Sequence, residues 1–120
     1  MGKNQTSKSM QRIAAVFLEL LEQQFPIEGP HPIRMRYPSQ FANQLNIHVN
    51  HLNRVIKTTL NKTTTQVISE RILQEAKHLL LNTTWSVAEI SNALGFSEPT
   101  HFTNFFRKYT HLNPTKFRAA

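Results

Sequence analysis

The sequence predicts an all-α protein in which a long linker helix joins two helix-turn-helix subdomains, with an amphipathic helix ahead of them. Three observations predict it. Apolar residues recur at three- and four-residue spacing in segment after segment. Strand-type alternation is confined to residues 33–37. Two passages also repeat one design: a short helix, a turn residue tolerant of positive φ, then a longer helix with a polar face.

Residues 1–8 are polar and are expected to be disordered. Over residues 9–25, Ile13, Phe17, Leu20, Leu21 and Phe25 mark one face of a helix that Pro26 is expected to end. Pro30, Pro32 and Pro38 with Gly29 then imply an extended connector. Ser39 is the expected cap of a short helix carrying Phe41, Ala42 and Leu45, and Asn46 supplies a left-handed exit. A second helix over residues 48–60 buries Leu52, Val55, Ile56 and Leu60, and Asn61 offers another such exit. Thr63 and Gln66 have capping-box spacing and open a linker helix with Ile68, Ile72, Ala76, Leu79 and Leu80 inside. Asn82 stops it.

The strongest local signal follows. Ser86 and Glu89 form a capping box, with Trp85 and Ile90 at hydrophobic-staple spacing. Gly95 ends this short helix and Phe96 follows the turn. Pro99 sits in the first turn of the next helix, where its missing N–H costs nothing. That helix is expected to bury Phe102, Phe105 or Phe106, and Tyr109; a last turn opens at Asn113 and Pro114 and carries Phe117. Ile47 and Phe96 should each plug the angle between the two helices of their unit.

Composition narrows the function. The 120 residues fit one domain or two small lobes, and 14 Lys and Arg against 7 acids, all Glu, leave a net charge of +7. Such an excess favours a polyanionic partner. There is no cysteine, which excludes disulfides, thiol catalysis and Cys-based zinc fingers. No apolar run is long enough to span a membrane, and the chain is expected to be cytoplasmic and bacterial. No catalytic constellation, phosphate loop or cofactor motif is present in the sequence. His48 and His51 have a metal-type spacing but no third ligand nearby, so no metal site is expected.

A helix fits the major groove of a duplex, and its first turns reach the base edges while the preceding helix fixes its angle. The linker helix of about 17 residues spans roughly 25 Å. With the helix widths added, the two heads are expected on the order of 34 Å apart, one duplex turn.

The residues resemble the C-terminal DNA-binding domain of the AraC/XylS transcription regulators. The resemblance is carried by Phe41, Ala42 and Leu45; by His51, Leu52, Asn53 and Arg54; by Arg71, Ile72, Ala76, Leu79 and Leu80; and by Ile90 and Ser91. Leu94 to Pro99, Phe102, Phe106 to Lys108, Pro114, Phe117 and Arg118 complete it. The chain departs from the family's glycines at Asn46, Asn61 and His111, and places His48 where a serine cap is common, which predicts a weaker cap. A helix and Pro-rich connector occupy 1–36, and the resemblance covers the stretch after them, implying a DNA-binding domain over 37–118. Within it, the helix-turn-helix units fall at about 39–61 and 86–109, and the linker at about 64–81.

It also implies which residues meet DNA. In the first unit these are Asn50, Asn53 and Arg54 at base edges and Lys57 at a phosphate. In the second they are Thr100, His101 and Asn104, with Pro99 packing only, and Lys108 further along. Arg71 is expected to pair with Glu75, and Arg107, Lys108 and Arg118 lie near helix ends, where they serve the helix dipole as readily as DNA. The implied partners are promoter or operator DNA and RNA polymerase. The chain is expected to be a monomer and the C-terminal fragment of a larger regulator that can dimerise. The competing reading is a protein-interaction module using the apolar stripe of residues 9–25.

Overall fold

The computed structural model describes residues 7–29 and 31–120. Seven helices follow in order: α1 (Lys8–Glu22), α2 (Pro38–Leu45), α3 (Val49–Leu60), α4 (Thr64–Asn82), α5 (Val87–Ala93), α6 (Pro99–Thr110) and α7 (Pro114–Ala119). No strand occurs among the described residues, and residues 33–37 are irregular. Of the polar stretch over 1–8, residues 1–6 lie outside the described residues, whereas Ser7 caps α1 and its side chain accepts from the Met10 N–H at 3.1 Å.

The helices form two compact units. One holds the described residues of Met1–Phe25 with Met35–Glu70; the other holds those of Pro26–Arg34 with Arg71–Ala120. The boundary between them falls within α4.

In the first unit α1 packs on both α2 and α3, and α2 packs on α3. Ala14, Phe17 and Leu21 of α1 are buried with Phe41, Leu52, Val55, Ile56 and Ile68. The Phe17 and Phe41 rings meet edge-on, centroids 5.1 Å apart. The apolar stripe of α1 is therefore core of this unit. The interaction-module reading loses the exposed face it needed, because a stripe buried against α2 and α3 cannot also dock a partner.

The α1 helix stops at Glu22, before the expected end at Pro26. Its last backbone bonds tighten, with the Phe25 N–H donating to the Glu22 carbonyl at 3.0 Å. A residue before proline is also disfavoured in helical conformation. The Gln24 amide then clamps the Met35 backbone from both sides, donating to its carbonyl at 2.8 Å and accepting from its N–H at 2.7 Å.

In the second unit α5 packs on α6, and α6 on α7. Ile72, Ala76, Leu79, Leu80, Ile90, Leu94, Phe96, Phe102 and Phe106 form its core. Tyr109 does not join it. The residue is 40% exposed, and its ring meets that of Phe105 at 5.1 Å. Phe105 itself is half-buried. The connector is tied in by polar bonds: Ile27 N–H donates to Glu75 Oε2 at 2.8 Å, and Ile33 N–H to the Ala93 carbonyl at 2.9 Å. Glu75 is 3% exposed and also meets Arg71 at 3.4 Å, the expected pair one turn apart. Arg118 closes the end of α4, donating to the Leu80 carbonyl at 2.9 Å and the Thr83 carbonyl at 3.4 Å. It thus serves the C-terminal end of α4, whose last carbonyls have no helical partners of their own.

Candidate nucleic-acid interface

The two helix-turn-helix units are α2–α3 and α5–α6, and their turns are built alike. After α2, Asn46 takes φ 59°; its N–H donates to the Asn43 carbonyl at 3.1 Å, and that of Ile47 to Ala42 at 3.0 Å. After α5, Gly95 takes φ 85°; its N–H donates to Asn92 at 3.0 Å, and that of Phe96 to Ser91 at 3.0 Å. Both are paired six-to-one and five-to-two closures, which need one left-handed residue. Phe96 is buried beside Phe102 and Phe105, whereas Ile47 is half-buried.

Local chemistry starts each following helix. His48 caps α3, its Nδ1 accepting from the Asn50 N–H at 3.1 Å. The cap expected to be weak is thus filled by an imidazole, which needs its neutral form with Nδ1 unprotonated. Tyr37, rather than Ser39, stands at the N-cap of α2, and Gln40 Oε1 accepts from the N–H groups of Arg36 at 2.7 Å and Tyr37 at 2.8 Å. Proline opens α2, α6 and α7.

Both α3 and α6 have 12 residues, and both end on a left-handed residue, Asn61 with φ 57° and His111 with φ 65°. Their starts and exits lie fifty positions apart, so the helices share one register. On α3, Asn50, Asn53, Arg54 and Lys57 are all exposed and fall on one arc of the helix opposite Leu52, Val55 and Ile56. On α6, Thr100, His101, Asn104 and Lys108 are exposed opposite Phe102 and Phe106. Neither helix carries an acidic residue.

The shared register also separates the two predicted sets. Thr100 and Asn104 match Asn50 and Arg54 in position. The match to Lys57 is Arg107, also exposed, while Lys108 corresponds to Thr58. Arg107, which the sequence placed only near a helix end, is thus the counterpart of Lys57 in register, and the equal spacing of the two left-handed exits is the signal that pairs them. His101 Nδ1 lies 3.1 Å from Ser97 Oγ, which orients the ring. Lys108 Nζ sits 5.7 Å from the centre of the Tyr109 ring. Among the described residues no group of three or more potential ligands could hold a metal ion, and no helix is long and apolar enough to cross a membrane.

A family model described as "Helix-turn-helix domain" matches residues 41–120. The chain is 31% identical over 80 residues to the Msm operon regulatory protein of Streptococcus mutans, covering 67% of this chain and 29% of that one. It superposes on a transcriptional regulator from Chromobacterium violaceum described as an AraC-type DNA-binding domain-containing protein. The TM-score is 0.69 with 23% identity, and the match covers 94% of this chain and 95% of that one. The chain belongs to the AraC/XylS family.

A further structural match is the DNA-binding domain of AdpA, a global transcriptional factor, whose structure is in complex with a target DNA. There the TM-score is 0.67 with 19% identity, covering 94% of this chain and 92% of that one. This AraC-type chain spans less than a third of the length of the curated relatives it matches.

Proposed function

We propose that this chain is the DNA-reading part of a bacterial transcription regulator, with α3 and α6 entering successive major-groove segments of an operator. The observation that carries the reading is the repeat itself. Two units with the same left-handed turn each deliver a helix of equal length with an exposed, acid-free polar face. One such helix makes few base contacts; two that act together make enough for specificity.

In this reading Arg54 bonds a guanine edge in bidentate fashion, Asn50 and Asn53 read neighbouring bases, and Lys57 holds a phosphate. Thr100, His101 and Asn104 make the contacts of the second head, with Lys108 and Arg107 on the backbone. Asn104 stands in register with Arg54 and is the weaker reader, so the second head relies more on groove shape. The unit acts as a monomer on one operator, and its further partner is RNA polymerase. The operative domain runs over 37–118, with 1–36 as the segment before it.

Fluorescence anisotropy with a labelled duplex tests the assignment. Affinity falls steeply with salt, and Arg54→Ala costs about 1–3 kcal/mol at one base position while relaxing preference there. Equal loss on every sequence would make Arg54 a backbone ligand and refute its reading role.

A further inference from the structure

We propose that the cleft at the N-terminal end of α4 is a phosphate site, filled on DNA by one backbone phosphate of the duplex. This rests on the DNA-binding reading above and adds to it residues outside both helix-turn-helix units.

The cleft has a volume of about 230 Å³ and is lined by Pro38, Asn53, Lys57 and the run Thr63, Thr64 and Thr65. No carboxylate lines it. Lys57 has no ion pair among the described residues and supplies the cationic wall. The start of α4 supplies N–H donors. Thr63 and Gln66 form a reciprocal cap, with Gln66 N–H on Thr63 Oγ1 at 3.0 Å and Thr63 N–H on Gln66 Oε1 at 2.8 Å. The N–H groups of Thr64 and Thr65, in the same turn, have no helical acceptor. Free first-turn donors and the positive end of the helix dipole together attract an anion.

An independent observation points the same way. Thr64 is 1% exposed and forms part of the cleft wall, yet its Oγ1 is buried with no hydrogen-bond partner. Three half-buried threonines elsewhere have local acceptors. Thr59, Thr83 and Thr110 each donate to the carbonyl four residues back, at 2.7, 2.6 and 2.9 Å. Leaving a buried hydroxyl unmatched is destabilising, and a phosphate oxygen in the cleft is the acceptor it lacks. The repeat shows that the feature belongs to the first unit alone. Fifty positions on, Pro114 opens α7 with neither hydroxyl nor N–H. A phosphate gripped by Lys57 of α3 and by the start of α4 would fix how deeply α3 enters the groove.

The test uses the whole chain. Inorganic phosphate, titrated against chloride at equal ionic strength, shifts the Thr64 and Thr65 amide resonances, and an operator duplex shifts the same pair. Thr64→Val weakens duplex binding about fivefold, on specific and unrelated sequences alike, with an unchanged salt slope. Lys57→Ala lowers that slope by about one. Thr64→Ser keeps wild-type affinity, and Thr64→Pro, a residue the second unit accepts at the matching place, reproduces the loss should the valine variant fail to fold. Wild-type duplex affinity in both Thr64→Val and Thr64→Pro overturns the inference while leaving the DNA reading intact. Amide shifts with inorganic phosphate but none with duplex overturn the duplex source in favour of free phosphate. If the wild-type chain binds no duplex, the DNA reading fails, and with it the assignment to a duplex phosphate.

Discussion

Replacing Phe17 with alanine should cost the first unit about 3–5 kcal/mol. Phe17 has 0% exposure, and its ring meets Phe41 at 5.1 Å and 72°. Truncation removes a buried aromatic ring and leaves a cavity between α1 and α2. The edge-on pair it deletes is by itself worth about 0.5–1.5 kcal/mol. Small domains are stable by only about 5–15 kcal/mol, so the loss is a large share of the total. Urea unfolding followed by helical circular dichroism measures it, with amide exchange at Phe41 as a local readout. Leu18, the next residue, is 38% exposed and provides the control, since Leu18→Ala should cost under about 1 kcal/mol. If the two variants cost the same, or Phe17→Ala costs less than about 1 kcal/mol, α1 is no part of the core.

Three other changes follow from the same physics. Gly95→Ala places a side chain at φ 85° and should lower stability by about 1–2 kcal/mol in thermal melts; an unchanged midpoint would contradict the left-handed turn. His111→Gly acts in the opposite direction, because His111 holds φ 65°, and should raise stability by up to about 1 kcal/mol. Glu75→Ala should cost about 1–3 kcal/mol by leaving the Ile27 N–H without its buried acceptor, with faster exchange of the Ile27 amide as its signature; a protected Ile27 would show that the bond is dispensable.

What the sequence made legible was local. The turns at Asn46, Asn61 and Gly95 were readable because closing a helix end calls for a left-handed residue within one turn, and asparagine and glycine adopt it cheaply. The caps at Thr63 with Gln66 and at Ser86 with Glu89 were readable for the same reason, since both partners lie three residues apart. Illegible features depended on residues far apart. Periodicity shows which face of α1 is apolar but not that Phe41 covers it. Nothing local announces that Gln24 clamps Met35, or that Arg118 returns to the end of α4. Tyr109 was misplaced because a helical stripe continues in sequence past the point where its unit has neighbours to bury it.

Within the candidate interface, the exposed arc on α3 follows directly from the buried positions of Leu52, Val55 and Ile56. The second set was less legible. The turn after Gly95 is one residue longer than that after Asn46, so only the helix ends, once placed, register Arg107 with Lys57.

Selection of bound duplexes from a randomised pool tests the central claim most directly, because it reports both heads at once. Joint reading by α3 and α6 predicts two enriched blocks with centres about 10–10.5 base pairs apart, the first of which decays on Arg54→Ala and the second on joint replacement of Thr100, His101 and Asn104 by alanine. A single enriched block, or two blocks that both survive the joint replacement on α6, would contradict it.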